Sequence, residues 1–168
     1  VANFDAVSLT TDATRYVEFT AAAGQSFVDN PSVRSNPLYY NATNGAALRG
    51  TGSNTTMRLP ALYDIRVSRM LLNGSTGADT TLIGPSNAKS CIVTQCLFQG
   101  GECRFENSGG VRTINNCLFL HTLTSQTNAM TLFGTGSLDL NFCTIVAPPG
   151  TGLVNLVDYA NNNLTANL

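Results

Sequence analysis

Four stretches of this chain share one pattern: an apolar pair, two corner residues, then a second apolar pair. They are Ile65-Arg66-Val67-Ser68-Arg69-Met70-Leu71-Leu72, Cys91-Ile92-Val93-Thr94-Gln95-Cys96-Leu97-Phe98, Arg112-Thr113-Ile114-Asn115-Asn116-Cys117-Leu118-Phe119 and Leu138-Asp139-Leu140-Asn141-Phe142-Cys143-Thr144-Ile145. The matched positions Met70, Cys96, Cys117 and Cys143 lie 26, 21 and 26 residues apart. A period in that range marks a solenoid, whose coils bury their apolar faces only against one another.

Within each repeat, strand alternation points Val67, Val93, Ile114 and Leu140 inward. The next inward residues, Met70, Cys96, Cys117 and Cys143, follow three positions later instead of two. A sharp two-residue bend between strands produces that offset, because it resets which face points in. The bends fall at Ser68-Arg69, Thr94-Gln95, Asn115-Asn116 and Asn141-Phe142, and Asn suits the left-handed backbone of such a corner. Beyond each bend Leu72, Phe98, Phe119 and Ile145 point inward again.

A third apolar segment separates these cores: Thr81-Leu82-Ile83-Gly84, Cys103-Arg104-Phe105-Glu106, Met130-Thr131-Leu132-Phe133-Gly134 and Leu153-Val154-Asn155-Leu156-Val157. Three strands per coil joined by turns describe a parallel β-helix. Residues 1–60 do not share the period. Phe4, Val7 and Leu9, then Tyr16-Val17-Glu18-Phe19, predict short strands, while Pro31, Pro37, Asn41 and Asn44-Gly45 break up the chain beyond them. This part reads as an N-terminal arm or cap, 1–60, ahead of a repeat domain, 61–168.

Composition agrees with a β-rich chain. Charged residues make up 11% of the 168, against about 25% in an ordinary soluble domain. Neutral polar groups replace them, with 21 Thr and 18 Asn beside a single Lys, Lys89. Thr favours strands, Asn and Gly favour turns, and few strong helix formers remain. Net charge is −1 with no basic run, which removes the electrostatic basis for nucleic-acid binding. No stretch reaches the ~18 apolar residues of a membrane span. Residues 1–20 carry Asp5, Asp12, Arg15 and Glu18 in place of a signal peptide's apolar core.

The run Phe105-Glu106-Asn107-Ser108-Gly109-Gly110, followed by Ile114-Asn115-Asn116-Cys117-Leu118-Phe119, resembles a rung of the right-handed parallel β-helix proteins of the pectate-lyase-like superfamily, a type found among bacteriophage virion proteins. Asn141-Phe142-Cys143-Thr144-Ile145 repeats the motif more loosely. The resemblance covers residues 61 to 160. It implies an all-β fold: a short right-handed parallel β-helix of about four to five coils preceded by the irregular N-terminal segment. A leucine-rich repeat has an overlapping period, but its L-x-L core with regular Leu spacing is missing.

Chemistry is sparse. Glu102, Arg104 and Glu106 alternate with Cys103 and Phe105, an outward strip that reads either as a sugar-contacting or acid/base set or as a solvated, self-compensated strand face. Glycoside hydrolysis needs two acids across one groove, and Asp139 lies one coil beyond Glu106 and Arg112. The resembling lyases use clustered Asp for calcium with a basic proton acceptor, and no such Asp cluster is present to carry that activity over. His121, the only His, reads as an edge or turn residue. Gly134-Thr135-Gly136-Ser137 lacks the Lys and following helix of a phosphate loop and reads as a coil turn. The five cysteines contain no C-x-x-C pair, so Cys96, Cys117 and Cys143 are expected to stack as buried free thiols. The four sequons, at Asn41, Asn54, Asn73 and Asn163, are close to the ~3.5 expected by chance from this composition.

No catalytic, cofactor or metal residue is assigned. The expected function is a non-enzymatic virion structural protein, a bacteriophage capsid decoration (cement) protein or fibre segment. It would assemble as a homotrimer with the major capsid protein or other virion components, after synthesis in the host cytoplasm without a signal peptide. The chain's start at Val, as after removal of an initiator Met, fits that reading. The alternative is a carbohydrate-binding or polysaccharide-degrading module of a tailspike-like protein. Against it stand the absence of Trp and the placement of Phe98, Phe105 and Phe119 in the core. A secreted adhesin is disfavoured by the missing signal.

Overall fold

The computed structural model describes residues 9–27, 29, 47–50, 55–59, 63–74, 80–83, 89–105, 110–122, 128–132, 136–147, 149–150, 155–159 and 164–167. Among them the chain forms strands and no helix.

The strands build three open, wholly parallel sheets. The first contains β1 (Val17–Thr20), β4 (Ile65–Ser68), β7 (Cys91–Thr94), β10 (Gly110–Asn115), β13 (Gly136–Asn141) and β16 (Leu164–Asn167), in that spatial order. The second runs β2 (Ala47–Arg49), β5 (Leu71–Asn73), β8 (Leu97–Gly100), β11 (Leu118–His121) and β14 (Thr144–Val146). The third runs β3 (Met57–Arg58), β6 (Thr80–Ile83), β9 (Glu102–Phe105), β12 (Asn128–Leu132) and β15 (Asn155–Tyr159). Every strand pairs with the one three places away in sequence, so the chain visits the sheets in rotation. That order is compatible with a parallel β-helix.

Register stacks the repeats as their spacing predicts. Val67 lies against Val93, Val93 against Ile114 and Ile114 against Leu140. In the second sheet Leu72, Phe98, Phe119 and Ile145 form the matching column. Met57, Leu82, Cys103 and Met130 form the third. All three columns meet in one hydrophobic core. Phe98 and Phe119 stack with centroids 4.9 Å apart and planes 9° from parallel, adding about 0.5–1.5 kcal/mol beyond burial.

The segment before residue 61 takes part in this stacking. β1 pairs with β4 (Phe19 against Val67), β2 with β5 (Leu48 against Leu72), and β3 with β6. Strand pairing thus runs across the expected boundary between cap and repeats. Phe4, Val7, Pro31, Pro37, Asn41 and Asn44-Gly45 lie outside the described residues.

At each predicted bend the second residue has positive φ: Arg69 59°, Gln95 53°, Asn116 51° and Phe142 54°. The corners are tied between coils, Arg69 N–H donating to Thr94 O, Gln95 N–H to Asn115 O and Asn116 N–H to Asn141 O, at 3.0–3.1 Å. A second corner, from the second sheet toward the third, carries Gly50, Gly74 and Gly100. Gly50 N–H donates to Asn73 O and Gly74 N–H to Gln99 O. Gly100 sits at φ +104°, and a β-carbon there would run into the Gly74 carbonyl. His121 occupies the next place in that column, opposite Gly100.

Candidate functional site

The charged strip does not form as a solvated set. Glu102 is buried and accepts a 2.9 Å hydrogen bond from the hydroxyl of Thr131, itself buried, while Arg104 is half-buried. The third sheet is covered on this side, so alternation alone misplaced Glu102 in solvent. Glu106 lies outside the described residues. The register sets Asp139 and Arg112 on opposite faces of the first sheet. Arg112 is buried in the inward column between Cys91 and Leu138, its guanidinium donating to the Gly110 carbonyl. Asp139 faces outward beside Thr113. His121 is a buried residue closing β11, only 2% exposed, rather than an edge or turn residue. Gly136 and Ser137 begin β13 instead of making a turn, and Gly134 and Thr135 lie outside the described residues.

The cysteines are free thiols, four buried and Cys143 half-buried. Three share a bonding pattern at the corner. The single thiol proton of each has two carbonyl acceptors in reach, Val67 O and Thr94 O for Cys96, Val93 O and Asn115 O for Cys117, and Ile114 O and Asn141 O for Cys143, at 3.3–3.8 Å. Each sulfur thereby reaches a carbonyl of the preceding coil and one of its own corner. Burial pushes the Cys91 thiol up to about 12, so it stays protonated and unreactive at neutral pH. Among the described residues no group of three or more His, Cys, Asp or Glu is arranged to hold a metal ion.

Two places concentrate chemistry that spacing did not reveal. One is Asp64, buried just before β4. Its carboxylate accepts from Ser90 N–H (2.9 Å), Ser90 hydroxyl (2.8 Å), Thr11 hydroxyl (3.1 Å) and Lys89 Nζ (3.2 Å). Burial opposes its ionisation, but the Ser90, Lys89 and Thr11 donors outweigh that and hold its pKa below the ordinary value. Lys89, the chain's one lysine, also donates to Thr11 O at 2.9 Å. The node joins residues far apart in sequence, which no local pattern announces. Beside it a cavity of about 230 Å³ is lined by Asp12, Tyr16, Asp64, Arg66, Ser90 and Ile92. The Arg66 guanidinium lies 3.5 Å above the Tyr16 ring. From this lip the outer face of the first sheet extends as polar ranks, including Thr20, Ser68, Thr94, Asn115 and Asn141. Ser68 donates to Thr20 (2.8 Å) and Asn141 to Asn115 (2.9 Å).

The other place is the ridge of positive-φ corners. At one end the Arg69 guanidinium pairs with Asp29. Asp29 also accepts from Ser26 and Gly24, which draw its pKa down to about 2. At the other end Phe142 is 88% exposed. Between them a groove of about 480 Å³ is lined by Phe27, Asn116, Leu118, Phe142 and Thr144, with Cys96 and Cys117 at its floor.

Compared with known proteins, the chain matches no family model, no curated protein and no solved structure.

Proposed function

We propose that the three sheets are the sides of a right-handed parallel β-helix of the pectate-lyase-like kind, with about four to five coils. On this reading the protein is a non-enzymatic structural component of a virus particle, a bacteriophage capsid decoration protein or fibre segment. It assembles with itself, as a homotrimer, and with the major capsid protein. The observation that carries the reading is a pair of exposed apolar side chains at one end of the second sheet. Phe142, two residues before β14, and Val146, the last residue of β14, are 88% and 41% exposed, and among the described residues β14 is the end strand of the second sheet. Exposed apolar groups beside an open strand edge are features of assembly surfaces. The bonding at Asp64 and Glu102 supports the same reading, since both carboxylates act as ties between chain segments. The test is to isolate the native protein with whatever accompanies it and to mix purified protein with capsid shells. Co-sedimentation with shells, saturating at a fixed ratio, is the expected result. A protein that stays in the supernatant at every ratio contradicts it.

A polysaccharide-binding reading is favoured by one observation, the ranks of hydroxyl and amide groups on the first sheet beside Arg66, Tyr16 and Asp139. It predicts retention on a glycan surface that Asp139→Asn or Thr94→Ala weakens. Depolymerising activity abolished by Asp139→Asn would replace the structural reading with an enzymatic one.

A further inference from the structure

Phe142 combines two local costs. Positive φ is sterically unfavourable for a bulky residue, and the equivalent corners carry Arg69, Gln95 and Asn116 instead. Its ring is also left 88% exposed, although a polar residue at this position would serve the bend as well. A strained, exposed aromatic side chain points toward a role outside the fold itself. The groove of about 480 Å³ lies directly beside it, with half-buried Phe27 and Leu118 on its walls.

We propose that this corner ridge is a contact surface between copies of this chain, the Phe142 ring of one copy seating in the Phe27–Leu118 groove of another. The occupant follows from three features. Projection and recess belong to one chain, so the ring of one copy can seat in the groove of the next without any second protein, a head-to-tail contact that can close a three-fold ring. The residues lining the groove, among them Phe27, Asn116, Leu118, Phe142 and Thr144, carry no charged side chain, and the charges at the far end of the ridge, Arg69 and Asp29, are paired with each other. Two copies therefore meet without like-charge repulsion, while a charged partner finds no counter-ion there. Finally, β14 has a partner strand on one side only among the described residues. Thr144 N–H is engaged by Cys117 O, so alternation turns the Ile145 peptide groups toward the open side, where an approaching copy can add backbone hydrogen bonds.

This inference deepens the self-assembly part of the proposed function and rests on it, but not on the virion assignment. The test is sedimentation velocity of the full chain over a wide concentration range, for wild type, Phe142→Asn and Thr144→Arg. Asn accepts the left-handed corner, so F142N removes the ring while keeping the bend. T144R sets a long charged side chain on the rim of the neutral groove, at an exposed strand position. Both variants are expected to weaken self-association at least about tenfold, the loss typical of a central aromatic contact, while the thermal midpoint of dilute F142N stays level or rises. A ring with a merely structural role gives the reverse: a lower midpoint and unchanged association. If wild type associates and both variants associate equally well, the surface is wrong and self-assembly stands. A wild type that stays monomeric throughout overturns both, and co-sedimentation with shells tests the virion reading independently.

Discussion

At the scale of single residues, the chain relies on a few positions where one atom decides the outcome. Gly100 is one, because its left-handed backbone and the Gly74 carbonyl both exclude a side chain. Gly100→Ala is expected to cost about 3 kcal/mol, from strain plus displacement of the neighbouring coil, read from denaturant midpoints. Asp64 is another. A carboxylate whose folded pKa is depressed contributes stability that is present above its unfolded value and lost as pH falls through the folded one. Because the Asp64 and Asp29 pKa values are lowered, the thermal midpoint should hold steady from neutral pH and fall below about pH 4, near the unfolded carboxylate value. In Asp64→Asn the midpoint should be lower at pH 7 and that acid slope shallower. An unchanged slope would show that the node contributes nothing to acid sensitivity.

At the scale of elements, corner and strand make different demands. The strand columns require close packing. Ile114 sits between Val93 and Leu140 at 1% exposure, and Ile114→Ala should cost about 2–5 kcal/mol. The corners require tolerance of positive φ. Gln95→Gly relieves the steric cost of a side chain at φ 53° and should be neutral or stabilising by up to about 1 kcal/mol. Chemical denaturation of the pair tests both claims at once, since a stack of parallel strands governed by strand propensity alone would be weakened by each. The corners were legible because a three-residue step between inward positions has few structural causes. The second sheet was only half legible. Leu71 and Leu97 flank the predicted inward residues yet are 5% and 0% exposed, because β5 and β8 are buried on both faces, as strands of parallel sheets commonly are. Alternation tells one face from the other but not what covers either.

At the scale of the whole molecule, every sheet is assembled from strands roughly one repeat apart in sequence, and most contacts are non-local. Folding must therefore close long loops before pairing rewards it, and refolding is expected in the range of milliseconds to seconds or slower. Stopped-flow fluorescence or circular dichroism measures this, and a microsecond phase carrying the full amplitude would contradict the stacked arrangement. Hydrogen exchange should be slowest in β7 and β10, which have neighbours on both sides, and faster in β14, which has one.

The repeat spacing by itself determined that apolar residues stack repeat on repeat, where the chain bends, and that cysteine, aromatic and branched aliphatic groups share one core, because strand alternation and a two-residue corner are local rules. Only the tertiary structure decided that β1, β2 and β3 join the same three sheets. The long stretch between Phe19 and Leu48 breaks the period that would have announced them. It also decided that Glu102, Arg112 and His121 are buried, that Asp64 gathers donors from Thr11, Lys89 and Ser90, and that Phe142 faces a groove containing Phe27. Each of these depends on which distant segment lies across a given face, and local periodicity carries no record of that.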